Sequence, residues 1–289
     1  MASIIDGKTI AHRFGGIISR KVERLKSSGI FPHIALINAG QDPASEIYLS
    51  RKQAMAESLG IKSTVYKLNN PQENDVEQLI KTLNADDSVS AILLQSPLMP
   101  ELNFRKLVDF IDPCKDADGL TTINQGKLFT GEPCISPCTP LAVLHLIHSV
   151  RENISGLQAV VLGRSSIVGK PTAQLLLNRN CSVTLLHSQS RHIPEICATA
   201  DIIVSAIGKS LYVQKHFIKS GAIVIDVGIN RIEVDGAKKV VGDVDFHQVA
   251  EVAAAISPVP NGVGPMTVTY LMHNTVLLAT GEELFTPFM

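Results

Sequence analysis

Several common features are missing from this 289-residue chain, and each absence closes a class of function. Lys and Arg number 26 against 27 Asp and Glu, a formal charge of −1. There is no basic surplus to neutralise a run of phosphates, which argues against a nucleic-acid partner. No window reaches the roughly 18 apolar residues of a membrane span. The opening MASIIDGKTIAHRF has no long apolar run and meets an acid at Asp6, unlike a secretory leader. These absences point to a cytoplasmic protein with no membrane partner. The five cysteines (Cys114, Cys134, Cys138, Cys181 and Cys197) are odd in number and scattered. They form neither a disulfide framework nor a CxxC zinc site, and they read as reduced, mostly buried thiols. Internal repeats and low-complexity tracts are absent too.

What is present is an alternation of short apolar runs with helical patterns. HIALINAG (33–40), STVYKL (63–68) and AILLQ (91–95) read as buried strands, with helices near 43–59 and 73–84 between them. A second series follows at 158–163, 182–187, 201–208 and 222–228, and Asp235-Gly236 marks a hairpin inserted late in it. Strand–helix alternation implies βαβ units and parallel sheets, hence an α/β fold of the doubly wound kind. CISPCTPLAV marks a boundary. We expect one domain over 1–138 that recovers the last helix, 266–289, and a Rossmann-like nucleotide-binding domain over 139–265.

Loops at the C-terminal ends of parallel strands are where such sheets bind ligands. After the strand at 158–163 comes Gly163-Arg164-Ser165-Ser166-Ile167-Val168-Gly169, then a helical stretch. The order strand, glycine-bearing turn, helix aims backbone N–H groups and a helix dipole at a phosphate. The spacing is not GxGxxG, and on glycines alone an ordinary βα turn fits equally. Arg164 and Ser165 add a cation and a hydroxyl suited to phosphate oxygens. The next strand ends in His187-Ser188-Gln189-Ser190-Arg191 with no acid before Glu195. An NAD site places a carboxylate there for the ribose 2′-hydroxyl, whereas Ser188, Arg164 and Arg191 suit a 2′-phosphate, so the pattern favours NADP. A merely polar surface loop fits the same letters.

In the helix that opens at Asp42-Pro43, Tyr48 and Lys52 lie four apart and share one face with Met55 and Leu59. A lysine desolvated by that stripe has a lowered pKa and suits acid–base work. The same spacing fits a lysine that snorkels from a helix edge. Gln95 ends a buried strand, where a neutral amide can orient a catalytic group or simply cap the strand. DPCKDADGL sets Asp116 and Asp118 beside Gly119; a carboxylate there can accept two hydrogen bonds from an aminopyrimidine edge, with the glycine admitting the ring. A plain Asp/Gly turn reads identically. PVPNGVGPMT (258–267) is a stiffened loop before the last helix.

Together these strings resemble the methylene-tetrahydrofolate dehydrogenase/cyclohydrolase family over nearly the whole chain. The blocks are DPASEIYLSRK, LLQSPL, KDADGL, PCTP, GRSSIVGKP, HSQS, IDVGIN, GDVDF and PVPNGVGPMT. The resemblance implies two α/β domains flanking a cleft, NADP as cofactor, tetrahydrofolate one-carbon derivatives as substrates, and a homodimer. By position it implies Lys52, Tyr48 and Gln95 as catalytic residues. Asp118, Gly119, Tyr48, Pro260 and Gly262 would contact substrate, and Gly163, Arg164, Ser165, Ser188 and Ile229 the cofactor. No metal is implied. The implied reaction oxidises 5,10-methylene-tetrahydrofolate and hydrolyses the product to 10-formyl-tetrahydrofolate. A folate binder without turnover, or another two-domain NADP dehydrogenase, is the alternative. Ala117 stands where the family has Val, Asn261 where it has Gly, PCTP lacks a following Gly, and QSPLM varies on QLPLP. These departures bear on substrate positioning and touch no proposed catalytic group.

Overall fold

The computed structural model describes residues 1–234 and 236–281. Asp235 of the expected hairpin turn and residues 282–289 of the expected last helix lie outside the described residues. The chain divides into two compact units. One holds Arg13–Cys138 and the chain from Val268 onward, and the other holds Met1–His12 and Thr139–Thr267.

The chain starts with β1 (Ser3–Ile4), α1 (Gly7–Ser27), β2 (His33–Asn38), α2 (Pro43–Ser58), β3 (Lys62–Lys67), α3 (Glu73–Ala85) and β4 (Ala91–Gln95). In the unit built around residues 13–138, a parallel sheet runs β3-β2-β4. Every residue of β2 and β4 is buried, as continuous apolar runs in a parallel sheet require. Ala35, Ile37, Val76, Ile80, Ile92 and Leu94 form its core. STVYKL departs from the expectation of a buried strand: β3 is one edge of the sheet, and its middle residues are only half-buried. The register puts Asn38 opposite Gln95, so both end at the same edge of the sheet.

After α4 (Phe104–Val108), α5 (Thr122–Thr130) and α6 (Cys138–His148) the second series begins. It comprises β5 (Gln158–Leu162), α7 (Gly169–Leu177), β6 (Ser182–Leu186), α8 (Ile193–Cys197), β7 (Ile202–Ser205) and β8 (Ile223–Asp226). The antiparallel hairpin β9 (Asn230–Val234) and β10 (Ala237–Val241) follows, then α9 (Phe246–Val249), β11 (Ala255–Ile256) and α10 (Val263–Thr280). The sheet order is β1-β11-β8-β7-β5-β6, all parallel. The chain leaves β5 for β6 on one side and returns to β7 on the other. That reversal beside β5 is the switch point at which doubly wound sheets hold ligands.

The first strand belongs to this second sheet, although the sequence sets it with the N-terminal domain. Ser3 and Ile4 pair with Ala255 and Ile256, and Ser3 N–H reaches the Ala254 carbonyl at 2.8 Å. Two residues are too few to show a strand period, so the sequence carried no signal for the pairing. Among the described residues, no helix is long and apolar enough to cross a membrane.

Candidate active site

In the unit with β2, β3 and β4, the chemistry gathers where α2 meets the end of β4. Lys52 Nζ donates to Gln95 Oε1 at 2.7 Å. Gln95 is buried, and its own amide donates to the Ser96 carbonyl at 2.5 Å, which fixes Oε1 toward the amine. Gly40 makes this possible on the other side: a Cβ there would lie 2.3 Å from the Pro97 carbonyl, so the loops after β2 and β4 can touch. Burial lowers the Lys52 pKa, while the nearby Asp118 carboxylate and Cys138 pull it back upward. The lysine is thus desolvated and held, not snorkelling into solvent. Tyr48, one turn earlier on α2, is half-buried, and the Arg51 guanidinium sits 5.9 Å from its ring centroid.

The two acids of KDADGL take different roles. Asp116 is buried and serves its own loop: its carboxylate accepts from Thr121 N–H at 2.8 Å and Asn124 Nδ2 at 3.0 Å. Asp118 instead faces the lysine cluster. Burial raises its pKa, opposed by the Lys52 charge and by the side chain and backbone N–H of Cys138. A carboxylate offers roughly four acceptor positions, so these leave capacity for two more donors. Gly119 has a duty separate from the one expected of it. It sits at φ +64°, and a Cβ would lie 2.6 Å from the Ile135 carbonyl, so the glycine admits its own chain whether or not a ring approaches.

Cys138 and Asn274 were not singled out from the sequence. The Cys138 thiol donates to the Ala117 carbonyl at 3.4 Å. Asn274 Nδ2 reaches the Ala117 and Ser136 carbonyls at 3.0 and 3.2 Å. Burial and the Asp118 charge push the Cys138 thiol well up, so it stays protonated. The PCTP string was a signal for Cys138; Asn274 lies mid-helix in an apolar run and gave none. Ala117, a departure from the family string, is fully buried against this cluster.

In the other unit, the exits of β5, β6 and β8 carry the expected cofactor residues. Gly163 adopts φ +111°, and a Cβ would lie 2.3 Å from the Ala206 carbonyl; at Gly169 it would meet the Gly163 carbonyl at 2.0 Å. Both glycines are therefore required by the loop itself. Ser165 Oγ accepts from Val168 and Gly169 N–H at 3.2 Å each, which organises the start of α7 and leaves the hydroxyl hydrogen for an acceptor. Arg164, Ser188 and Ile229 are exposed. The turn after β6 is held by His187 N–H to Ser190 Oγ at 3.0 Å and carries no carboxylate until the exposed Glu195. The glycine cradle and the acid-free turn fit a dinucleotide with a phosphorylated ribose.

Pro260 and Gly262 lie in this same unit. Gly262 is buried, and its carbonyl would lie 1.9 Å from a Cβ on Gly7, while Lys8 N–H donates to the Asn261 carbonyl at 3.1 Å. Asn261 sits at φ +78°, a conformation Asn tolerates, so the departure from glycine keeps the backbone path. Among the described residues no group of acids, histidines and cysteines could hold a metal.

Two family models match the chain. The tetrahydrofolate dehydrogenase/cyclohydrolase catalytic domain covers residues 5–118, and the NAD(P)-binding domain of that family covers 137–283. A bifunctional protein FolD from a Wolbachia of Brugia malayi is 49% identical over 282 residues, 96% of each chain. The solved methylenetetrahydrofolate dehydrogenase/cyclohydrolase of Campylobacter jejuni is 40% identical with a TM-score of 0.94, over 97% of this chain and 99% of that one. The Trypanosoma brucei dehydrogenase-cyclohydrolase, solved with NADP cofactor and an inhibitor, is 34% identical with a TM-score of 0.92, over 97% and 98%.

Proposed function

The chain belongs to the tetrahydrofolate dehydrogenase/cyclohydrolase family, and from that premise we propose how its own residues carry out the two reactions. The enzyme oxidises 5,10-methylene-tetrahydrofolate with NADP+ and hydrolyses the resulting methenyl cation to 10-formyl-tetrahydrofolate. Gly163, Gly169, Ser165 and Arg164 would hold the phosphates, and Ser188 with Arg164 would receive the 2′-phosphate. Bound there, the nicotinamide would supply a hydride acceptor for the methylene carbon. The chain contributes position to that step, since no proton enters or leaves the protein.

Hydrolysis is where side chains act as acids and bases. Water adds to the methenyl carbon, one proton is lost, and the adduct opens at one C–N bond to leave the formyl group on the other nitrogen. Lys52, with its pKa lowered by burial, accepts one proton from the attacking water and returns it to the departing nitrogen, while the remaining hydroxyl proton is released to solvent as the formyl C=O forms. Gln95 aims the amine through a neutral bond, so the lysine is oriented without being locked in its charged form. Tyr48 offers a ring face for the folate, and Asp118 accepts the two N–H bonds of its aminopyrimidine edge. That pairing restores the carboxylate form that burial alone disfavours.

The observation that carries this reading is the Lys52–Gln95 bond beside Asp118. The test is to supply methylene-tetrahydrofolate with NADP+ and follow both reduced cofactor and 10-formyl product. Absence of either product would overturn the corresponding half. A homodimer is the assembly we propose, checked by sedimentation of the intact chain.

A further inference from the structure

The IDVGIN and GDVDF strings contain two buried acids that the reaction does not use. Asp243 has no exposed surface, yet both of its oxygens are crowded with donors. Oδ2 accepts from Ser205 Oγ at 3.2 Å, Ile207 N–H at 2.8 Å and Gly208 N–H at 3.2 Å. Oδ1 accepts from Lys209 N–H at 3.0 Å and Asn230 Nδ2 at 2.9 Å. Three successive backbone N–H groups at the exit of β7 thus converge on one internal carboxylate, as such nests do on a bound anion.

The surrounding chain is shaped to admit it. A Cβ on Gly228 would lie 2.2 Å from Asp243 Oδ1, and one on Gly242 would lie 1.8 Å from Asp226 Oδ2. Asp226 Oδ1 in turn accepts the Asp243 N–H at 3.0 Å, which sets the Asp243 backbone. The loops tied by Asp243 are those that border the nucleotide loop. Ala206, the residue before the tethered trio, is the one whose carbonyl Gly163 packs against, and Ile229 directly precedes the tethered Asn230.

We infer that Asp243 is a positioning residue for NADP+, an internal anion that fixes the exits of β7 and β8 so that the Gly163 loop and Ile229 keep their places at the switch point. The inference rests on the reading of this unit as the NADP site. It assigns a ligand-directed purpose to a carboxylate that touches no ligand. A carboxylate suits the task where an amide does not, because all five donors need acceptors on both oxygens.

The test is Asp243→Asn, which keeps shape but turns an NH2 toward N–H donors at one of the two oxygens. The KM for NADP+ should rise about ten-fold or more, the scale of lost bonds to a charged group. The KM for methylene-tetrahydrofolate should move less than about two-fold, since a loss of differential binding follows the ligand concerned. An unchanged KM for NADP+ overturns the inference, as does a parallel rise in both KM values. The unmutated chain is titrated alongside; failure of that chain to bind NADP+ overturns the underlying reading instead. If D243N does not fold, Asn230→Ala and Ser205→Ala each remove one tether. Each should raise the NADP+ KM several-fold, on the scale of one hydrogen bond, and NADP+ KM values equal to the parent's would overturn the inference.

Discussion

Lys52 meets Gln95, and not a carboxylate, at 2.7 Å. A carboxylate in that place would hold the ammonium charged, whereas an amide oxygen accepts its hydrogen bond and leaves burial free to lower the pKa. Lys52 was a candidate from its helix face and Gln95 from its place at the end of a buried strand. The bond between them was not legible, because α2 and β4 are brought together by the parallel register of β2 with β4.

Lys52→Met keeps the apolar stem and deletes the amine. Hydrolysis of methenyl-tetrahydrofolate should fall by about 10²–10⁴, the usual share of an acid–base group. Oxidation should persist at a reduced rate, with methenyl-tetrahydrofolate accumulating. Stopped-flow absorbance of both steps checks this; equal loss of the two with weakened folate binding would make Lys52 a binding group.

Asp118→Asn should raise the KM for folate substrate by roughly 30-fold or more, corresponding to about 2–4 kcal/mol for lost bonds to a buried charge. The Kd for NADP+, measured by calorimetry, should stay within about two-fold, since the residues proposed to hold the dinucleotide belong to the other unit. Unaltered folate kinetics would place the pterin elsewhere.

Arg164→Ala should weaken NADP+ more than NAD+, by about ten-fold if one charged contact to the 2′-phosphate is lost. Initial rates with each dinucleotide decide it. A uniform loss with both would show that Arg164 supports the loop and does not read the phosphate.

Asp226 supplies a pH dependence with a definite sign. Burial pushes its pKa up to about 7, against the pull of three backbone N–H bonds. Because the folded chain then holds a proton the unfolded chain has released above about pH 4, this group's contribution declines as pH rises toward 7. The slope is at most about 1.4 kcal/mol per pH unit. Urea unfolding between pH 5 and 8 should show that decline, flattened in Asp226→Asn.

Gly119→Ala should destabilise by about 2–4 kcal/mol, since positive φ and a backbone clash add. Thermal unfolding measures it. A variant as stable as the parent would mean that residues 135–137 can move aside.

The alternation of strands and helices was plain because parallel strands are continuous apolar runs. Burial of β3 was misread: STVYKL has the composition of a strand, but how far a strand is covered depends on what packs against it, and β4, at the opposite edge, is wholly buried. Asp116 and Asp118 could not be told apart by letters, since both sit in one turn and differ only in what faces them. Cys138 and Asn274 were missed because their meaning is carried by partners distant in sequence. Asp243 stood in the sequence only as part of the GDVDF block, and the convergence of five donors reveals it.

The pairing of Ser3 with Ala255 also sets an order of events during synthesis. At roughly 5–20 residues per second, the first strand waits on the order of ten to fifty seconds for its neighbour to be made. The sheet edge at β11 is the last to close, so while the chain grows the N-terminal segment stands unpaired and the nucleotide unit stays open on that side. A fusion placed ahead of Ser3 would act on this final closure first, and would slow maturation before it altered either reaction.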